Sequence, residues 1–171
     1  MTQSTPEKPK KSPVVVVLIV VAAIAALAVP AIGIMSVLAI YGVRRYLVQA
    51  KSAEGRSGVT SLAMGVARCA EAGGKLPPTS HRVPASLSSV SGVKYVAASS
   101  EWSGDPAFSC AGFSMSTPQY FQYQWEKLSE TTGVARAIAD LDGDGTADAS
   151  FEAEVVCAPG GACHASPPKG K

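Results

Sequence analysis

An uncharged apolar segment near the N-terminus is the strongest limit on what this chain can fold into. From Val14 to Tyr41 the sequence carries no charged residue and consists mainly of Val, Ala, Ile and Leu. As a helix rising about 1.5 Å per residue, it exceeds the ~30 Å hydrocarbon core of a bilayer. We therefore predict a transmembrane helix over residues 14–43. Residues 1–13, rich in Pro, Lys, Ser and Thr, are predicted to form a disordered tail.

The same segment has a second interpretation as a cleaved secretory signal. Ala26-Leu27-Ala28 offers the small residues at which a signal peptide is cut. Apolar character continues through Ile40, well past that position, and this favours an anchor that is retained. Lysines before the segment and Arg44-Arg45 after it nearly balance, so flanking charge does not fix its orientation.

The cysteines indicate the compartment and one disulfide pattern. All four follow the apolar segment: Cys69, Cys110, Cys157 and Cys163. Two disulfides in an oxidising compartment fit better than zinc, which needs closer Cys-x-x-Cys or Cys/His spacing. Four cysteines allow three connectivities. Turn-forming residues between Cys157 and Cys163 favour that pair and leave Cys69–Cys110 as the other.

Charge and length exclude some classes of function. The net charge is +2, with 16% charged residues among 171. This is far from the dense Lys/Arg surface that binds phosphate backbones, so nucleic acid is not an expected partner. The residues after the apolar segment suffice for about one domain.

The pattern after Arg45 predicts an α+β head over residues 44–164. Apolar residues at helical spacing continue the first helix until Gly73-Gly74 and Pro77-Pro78 end it. A strand is predicted around Val93–Ala98, and clearer strand signals follow at Ala107–Met115, Tyr120–Lys127, Gly133–Asp140 and Ala149–Val156. An antiparallel sheet packed on the helix would close the fold. Residues 165–171 are predicted to be a disordered tail.

Three stretches together resemble the type IV pilin-like, fimbrial or pseudopilin-like proteins of bacteria. Leu38–Glu54 looks like the exit of a pilin helix from the membrane into its amphipathic half. Lys94–Trp102, Phe113-Ser114 and Pro118–Tyr123 form the second stretch, and Ala137–Gly145 is similar to the last hairpin of such heads. The resemblance implies a helix anchored in the inner membrane, a head in the periplasm or at the cell surface, and pilus or type II secretion partners.

The sequence also departs from that family. Pilins have a leader ending in Gly and a Phe-Thr-Leu-Ile-Glu type start, whose glutamate registers subunits in the filament. Here Lys10-Lys11-Ser12-Pro13 precedes Val14, no Glu lies within Val14–Tyr41, and Tyr41 stands where the family often has Pro. A glutamate in a membrane helix is kept only where it finds a partner, so its absence removes an assembly contact and leaves the anchor.

An aspartate-rich segment has the spacing of a calcium loop. Asp140, Asp142 and Asp144 alternate before Gly145, and Asp148 follows. The closing bidentate Glu is missing, because Phe151 stands in that place and Glu152 comes one residue late. The alternative is a hairpin turn built from Asp-Gly pairs between two strands.

No catalytic constellation is evident in the sequence. The only histidines are His81 and His164, and neither has a recognisable nucleophile and orienting acid beside it. The aromatic residues Trp102, Trp125, Tyr120 and Tyr123 fit packing in a core or on a sheet face better than an exposed platform. We therefore expect that the protein is not an enzyme and that it holds no cofactor other than the candidate calcium ion.

Two functions therefore compete. The first is a pilin-like structural or interaction subunit. The second is a membrane-tethered periplasmic binding module that never polymerises, with calcium dependence as one form of it. The missing leader favours this second candidate.

Overall fold

The computed structural model describes residues 13–170, and the chain divides into two compact units with the boundary between Tyr46 and Leu47. Helix α1 spans Pro13–Gly73. The predicted disordered tail lies outside the described residues except for Pro13, which is the first residue of α1. Each unit is described in turn.

The N-terminal unit is formed by the first part of α1. Pro13–Ala39 has a mean hydropathy of 3.1, is long and apolar enough to cross a membrane, and has none of its most apolar window buried. A helix that is apolar on all sides and uncovered by protein suits lipid rather than water. A secretion signal near an N-terminus passes the same test of helix length and hydropathy, so the retained anchor and the cleaved signal both stay predictions.

The C-terminal unit begins with the rest of α1, residues 47–73. Leu62, Val66 and Ala70 lie in the core, whereas Leu47 is exposed. The helix ends at Gly73, where the sequence places the stop, and Gly74 follows with φ of 71°. A glycine with positive φ just after the last helical residue is the common way to end a helix.

An antiparallel sheet covers the buried face of this part of α1. Its strands are β1 Gln122–Lys127, β2 Thr132–Ala139, β3 Ala149–Cys157, β4 Cys163–Ala165 and β5 Lys169–Gly170. The order is β1-β2-β3-β4, and β5 pairs with β3 further along the same edge as β4. The α+β class and the three strands predicted between 120 and 156 are confirmed.

Another segment of the chain lines the β1 border of the sheet, and the short strands β4 and β5 form the opposite border. On the β1 side, Ser80 N donates to Trp125 O and Val83 pairs with Tyr123. Proline pairs flank the bordering segments, Pro77-Pro78 before Ser80 and Pro167-Pro168 between β4 and β5.

The core between α1 and the sheet is built from alternate strand residues and aromatic rings. Buried and exposed positions alternate regularly along β3, as expected of a sheet with one face in the core. Trp102, Tyr123 and Trp125 are buried, which confirms the packing interpretation for these three, and Tyr120 is half-buried at the edge.

Two predicted strands are wrong. Ala107–Met115 contains helix α3, Pro106–Ala111, because Asp105 caps its start and Gly112 closes its end with φ of 62°. The residues 93–98 form only a single bridge, Tyr95 to Gln119, and the short helix α2, Ser99–Ser103, follows. Local capping groups outweigh the apolar composition on which the strand predictions rested.

The predicted disordered tail over residues 165–171 is also wrong for the described residues. Ala165 ends β4, and Lys169-Gly170 form β5, paired with Glu152 and Phe151 of β3. Ser166 N donates to Glu154 O, and Ser166 Oγ accepts from Glu154 N. A neighbouring strand with unpaired backbone groups can therefore order a Ser- and Pro-rich segment that composition alone assigns to a frayed end.

Candidate functional site

The loop between β2 and β3, which we call the acidic loop, Asp140–Asp148, holds the predicted calcium ligands. Side-chain oxygens of Asp140, Asp142 and Asp144 lie within 4.8 Å of one another. Asp148 is not part of this group, because its Oδ1 accepts from Leu141 N at 2.8 Å and closes the base of the loop. The structure thus brings three of the four predicted ligands together.

Asp140 organises the loop from beneath. It is buried, and its carboxylate accepts from Gly143 N at 2.7 Å, from Gly145 N at 2.9 Å and from Ser91 Oγ. The hydrogen bond from Ser91, helped by the two backbone donors, holds the pKa of Asp140 below its ordinary value. Asp140 therefore stays ionised and fixes the loop.

Asp142 and Asp144 lie on the exposed rim of the acidic loop. Asp142 Oδ1 accepts from Asp144 N at 3.2 Å, and Asp144 Oδ1 accepts from Thr146 N at 2.8 Å. These are side chain to backbone turns of the kind that Asp favours. Each carboxylate has a second oxygen that takes no part in these turns.

The carboxylates fit a calcium ion only in part. Carboxylate oxygens are the right donors, but calcium takes six to eight oxygens, and a calcium loop usually ends in a bidentate Glu. Phe151 is in the core, and Glu152 Oε1 accepts from Arg136 Nε at 2.8 Å, so neither supplies that ligand. The loop's own hydrogen bonds explain its shape without an ion, and calcium stays a prediction.

A cluster around Tyr120 joins the acidic loop to α1. Lys51 Nζ donates to Leu141 O at 3.0 Å and lies 4.7 Å from the centre of the Tyr120 ring. Lys94 Nζ lies 5.0 Å from the same ring. Cation–π attraction holds the two ammonium groups beside the phenol ring. It thereby connects three segments of the head: α1, the loop that precedes α2, and the residues that lead into β1.

Glu54 of α1 reaches from the helix to the sheet. Its Oε1 accepts from Tyr120 N at 2.7 Å, and its carbonyl accepts from Tyr123 Oη at 3.3 Å. Burial raises the pKa of the Glu54 carboxyl above its ordinary value. Burial likewise raises the pKa of Tyr123, so its phenol remains a hydrogen-bond donor.

Both disulfides are present, in the connectivity that the sequence favours. Cys69–Cys110 joins α1 to α3 across 41 residues, with Cα atoms 5.6 Å apart. Cys157–Cys163 closes the short β3–β4 turn across 6 residues. Glu71 Oε1 accepts from Cys163 N at 3.0 Å and attaches this turn to the end of α1.

The two histidines lie in structural settings. His81 Nδ1 is 2.7 Å from Asp105 Oδ2, and Asp105 also accepts from Ala107 N as the cap of α3. His164 pairs with Val156 in the sheet and is exposed. The contact of His81 therefore belongs to the cap of α3.

Three features escaped the sequence prediction. Gly55, Gly58 and Gly65 let α1 approach the rest of the head so closely that an added Cβ would overlap Phe121, Tyr123 and the Ala111 carbonyl. Their spacings of three and seven were a usable signal of one helix face. The Asp105-Pro106 cap had a local signal as well, whereas the Ser91–Asp140 contact joins residues far apart in sequence and had none.

A long apolar N-terminal helix followed by helix packed on an antiparallel sheet is a pilin-like architecture. Comparison with protein-family models, curated proteins and solved structures gave no match. An apolar helix with the length of a membrane span and two disulfides together indicate a membrane-anchored or extracytoplasmic protein.

Proposed function

We propose that this protein is a pilin-like structural or interaction subunit anchored in the bacterial inner membrane. Its head lies in the periplasm or at the cell surface, and it works with a type IV pilus or type II secretion-like assembly. One observation carries the proposal: helix α1 has the composition of a membrane span in its first part and packs on a disulfide-bonded sheet domain in its second. In the proposed role, the anchored helix displays the head, and the surface of the head contacts other proteins.

The partners that we propose are the membrane, other pilin-like subunits and the assembly machinery, and not nucleic acid. We assign no reaction to the head. Its polar clusters have structural roles: Asp105 caps α3 and is contacted by His81, and Arg136 bridges Glu126 and Glu152 on the sheet face. Such contacts hold secondary structure together.

Shearing of intact cells tests the subunit proposal. A subunit is recovered with the sheared surface filaments, in amounts that fall when the assembly machinery is deleted. Recovery only in detergent-solubilised inner membrane would overturn it. A known inner-membrane protein followed in parallel controls for cell breakage.

The tethered, calcium-dependent module is the second candidate. The convergence of the Asp140, Asp142 and Asp144 carboxylates favours it, as does the absence of any acidic residue between Val14 and Tyr41 to register subunits in a filament. It requires the same anchor and head. It differs in never entering a filament.

Calorimetry separates calcium binding from a metal-free turn. We expect titration of calcium into the soluble fragment from about Arg44 onward to release or absorb heat that Asp142→Ala abolishes. Glu130→Ala is the matched control, because it removes an exposed carboxylate from the β1–β2 turn. No heat with the unsubstituted fragment would dismiss the calcium site.

The mature N-terminal residue decides among the three fates of the apolar segment. Mass spectrometry of the purified protein distinguishes an intact anchor, cleavage after Ala28 and processing of the prepilin type. An intact segment is the expected result. Loss of residues 1–28 would remove the anchor and with it the proposed function.

A further inference from the structure

The outer face of α1 in the head is an unpartnered helix surface. We define it by the exposed residues Ala53, Arg56, Ser57, Ser61, Met64 and Arg68. Open grooves of about 450 Å³ and 350 Å³ flank it, with Arg56 beside one and Arg68 beside the other. The face is thus a low ridge between two hollows.

The hydroxyl groups next to this ridge are turned back onto the helix. Ser57 Oγ donates to Glu54 O at 3.0 Å and Thr60 Oγ1 donates to Arg56 O at 2.9 Å. Short side chains bonded to their own helix do not reach a partner. The longer side chains of Arg56, Met64 and Arg68 are exposed along the ridge.

The acidic residues of this part of α1 do not neutralise those arginines. Glu54 accepts from Tyr120 N, and Glu71 accepts from Cys163 N. Among residues 13–170, the ion pairs involve neither Arg56 nor Arg68. Arg56 lies over the Phe151 ring, with Cζ 5.4 Å from its centre, and Arg68 Nε donates to Met64 O. The outer face of α1 is therefore cationic.

The acidic loop is a surface of opposite charge on the same head. Asp142, Asp144 and Asp148 are all exposed there. Lys51 contacts this loop through the Leu141 carbonyl rather than through a carboxylate, so the rim keeps its negative charge. One head thus carries both members of a complementary pair of surfaces.

The two surfaces lie at different levels along α1. Lys51 marks the level of the acidic loop, and Arg56 and Arg68 lie further along the helix by about 8 and 25 Å at 1.5 Å per residue. Two copies with parallel helices bring loop and arginines together only when one is shifted along α1. Such a contact joins two different surfaces of the head. Each pair of copies therefore still has one free acidic loop and one free arginine face, so further copies can add to form an open chain.

We propose that the outer face of α1 is the docking site for a second copy of this chain, which presents its acidic loop to Arg56 and Arg68. The inference rests on the proposed subunit function and names the contact that would build the assembly. Electrostatic contacts of this kind set register and orientation more than affinity.

Thiol cross-linking in membranes tests the contact. Full-length Ser61→Cys and Ala147→Cys variants are co-expressed, and membranes are treated with a short bismaleimide. Both positions are exposed, and the native cysteines are all paired within the described residues. We expect a cross-linked dimer with this pair. Leu128→Cys replaces Ala147→Cys in the control, because it is exposed at the opposite end of the sheet, and it should give background only.

Charge reversal and salt distinguish docking from chance collision. Arg56→Glu with Arg68→Glu on the Ser61→Cys copy should lower the cross-linked fraction about tenfold, because like charges then face each other. Asp142→Lys with Asp144→Lys on the Ala147→Cys copy should restore it. Because a reversed variant can misfold, the same fraction is measured for the unreversed pair between 0.05 and 0.5 M salt, where we expect a fall of at least about threefold.

The outcomes separate this inference from the proposed function. Cross-linking equal to the Leu128→Cys control, or insensitive to both salt and charge reversal, overturns the docking surface. If sheared filaments still contain the protein in that case, the subunit function stands and only this contact is wrong. Specific cross-linking without filaments upholds the contact and overturns the filament.

Discussion

Single glycines determine how closely α1 approaches the sheet. At Gly58 an added Cβ would lie 2.5–2.6 Å from ring carbons of the Tyr123 side chain, well inside van der Waals contact, and at Gly55 it would overlap the Phe121 ring. Both rings are buried and fixed by their neighbours, so they have little room to give way. The packing of α1 on the sheet therefore requires glycine, which has no Cβ, at both positions, although glycine disfavours a helix.

Gly58→Ala should lower the free energy of unfolding by about 1–3 kcal/mol through overpacking. Gly73→Ala is the matched control, because the same methyl there meets open space at the end of the same helix. Urea unfolding of the detergent-solubilised protein, followed by the fluorescence of Trp102 and Trp125, measures both. Equal effects of the two substitutions would contradict the close approach of α1 to Tyr123.

The Glu54 carboxyl makes stability depend on pH. Because burial raises its pKa in the folded state, the folded protein binds the proton more tightly than the unfolded chain. The contribution of Glu54 is therefore most favourable at acid pH and is lost as pH rises through the raised folded pKa. Glu54→Gln keeps an oxygen to accept from Tyr120 N, so its stability relative to the unsubstituted protein should increase from pH 4 to pH 7.

Asp140 makes the stability of the head depend on pH in the opposite direction. Its folded pKa is lowered, so its contribution is present above the unfolded pKa near 3.8 and is lost as pH falls through the folded value. Asp140→Asn should therefore cost most at neutral pH and least in acid. Denaturation midpoints for both variants across the pH range decide this, and parallel curves for either would refute its assigned role.

At the scale of elements, prediction succeeded where the signal was local and periodic. The alternation of Tyr120–Lys127 and the Gly73-Gly74 stop were sufficient for β1 and for the end of α1. Helix α3 was missed although Asp105-Pro106 and Gly112 are helix signals, because apolar composition was weighed above capping. Strand β5 has two residues, and nothing in the local sequence shows that Glu152 and Phe151 are its partners.

The candidate site shows the same division. The spacing of Asp140, Asp142 and Asp144 was sufficient to predict their convergence. Asp148 has the right spacing too, yet its carboxylate accepts a hydrogen bond from Leu141 N instead of joining the group. Ser91, which is 49 residues from Asp140 in the sequence, donates a hydrogen bond to the Asp140 carboxylate. Contacts between distant residues depend on the whole fold and left no pattern in the sequence.

The two disulfides should differ in what they contribute to stability. In the chain-entropy account, a bridge across 41 residues is worth about 4 kcal/mol and one across 6 residues about 2 kcal/mol. Replacing Cys69 and Cys110 by Ala should therefore lower the unfolding midpoint more than replacing Cys157 and Cys163. The paired variants are compared by urea unfolding, and a larger loss with the second pair would contradict the ranking.

At the scale of the whole molecule, an apolar helix and an oxidised head need two different solvents. None of the most apolar window of α1 is covered by protein, whereas the head has a closed aromatic core. The proposed location places the first in lipid and the second outside the cytoplasm.

Protease access tests that location. Added protease should spare the head in intact cells if it is periplasmic and should digest it in spheroplasts, where the outer membrane no longer protects it. A cytoplasmic protein of known location is the control and should survive both treatments. Survival of this head in spheroplasts alongside that control would place it inside the cell and contradict the proposal.

The way in which the sheet ends on each side has a consequence for heads that are crowded together. Bare strand edges recruit strands from neighbouring molecules, which is how many proteins aggregate. Here the border beside β1 is occupied by Ser80 and Val83, and the other is divided between β4 and β5 around Pro167-Pro168. Short edge strands and nearby prolines blunt such pairing, so heads crowded together by the proposed anchor can touch through side chains without their backbones fusing into a common sheet.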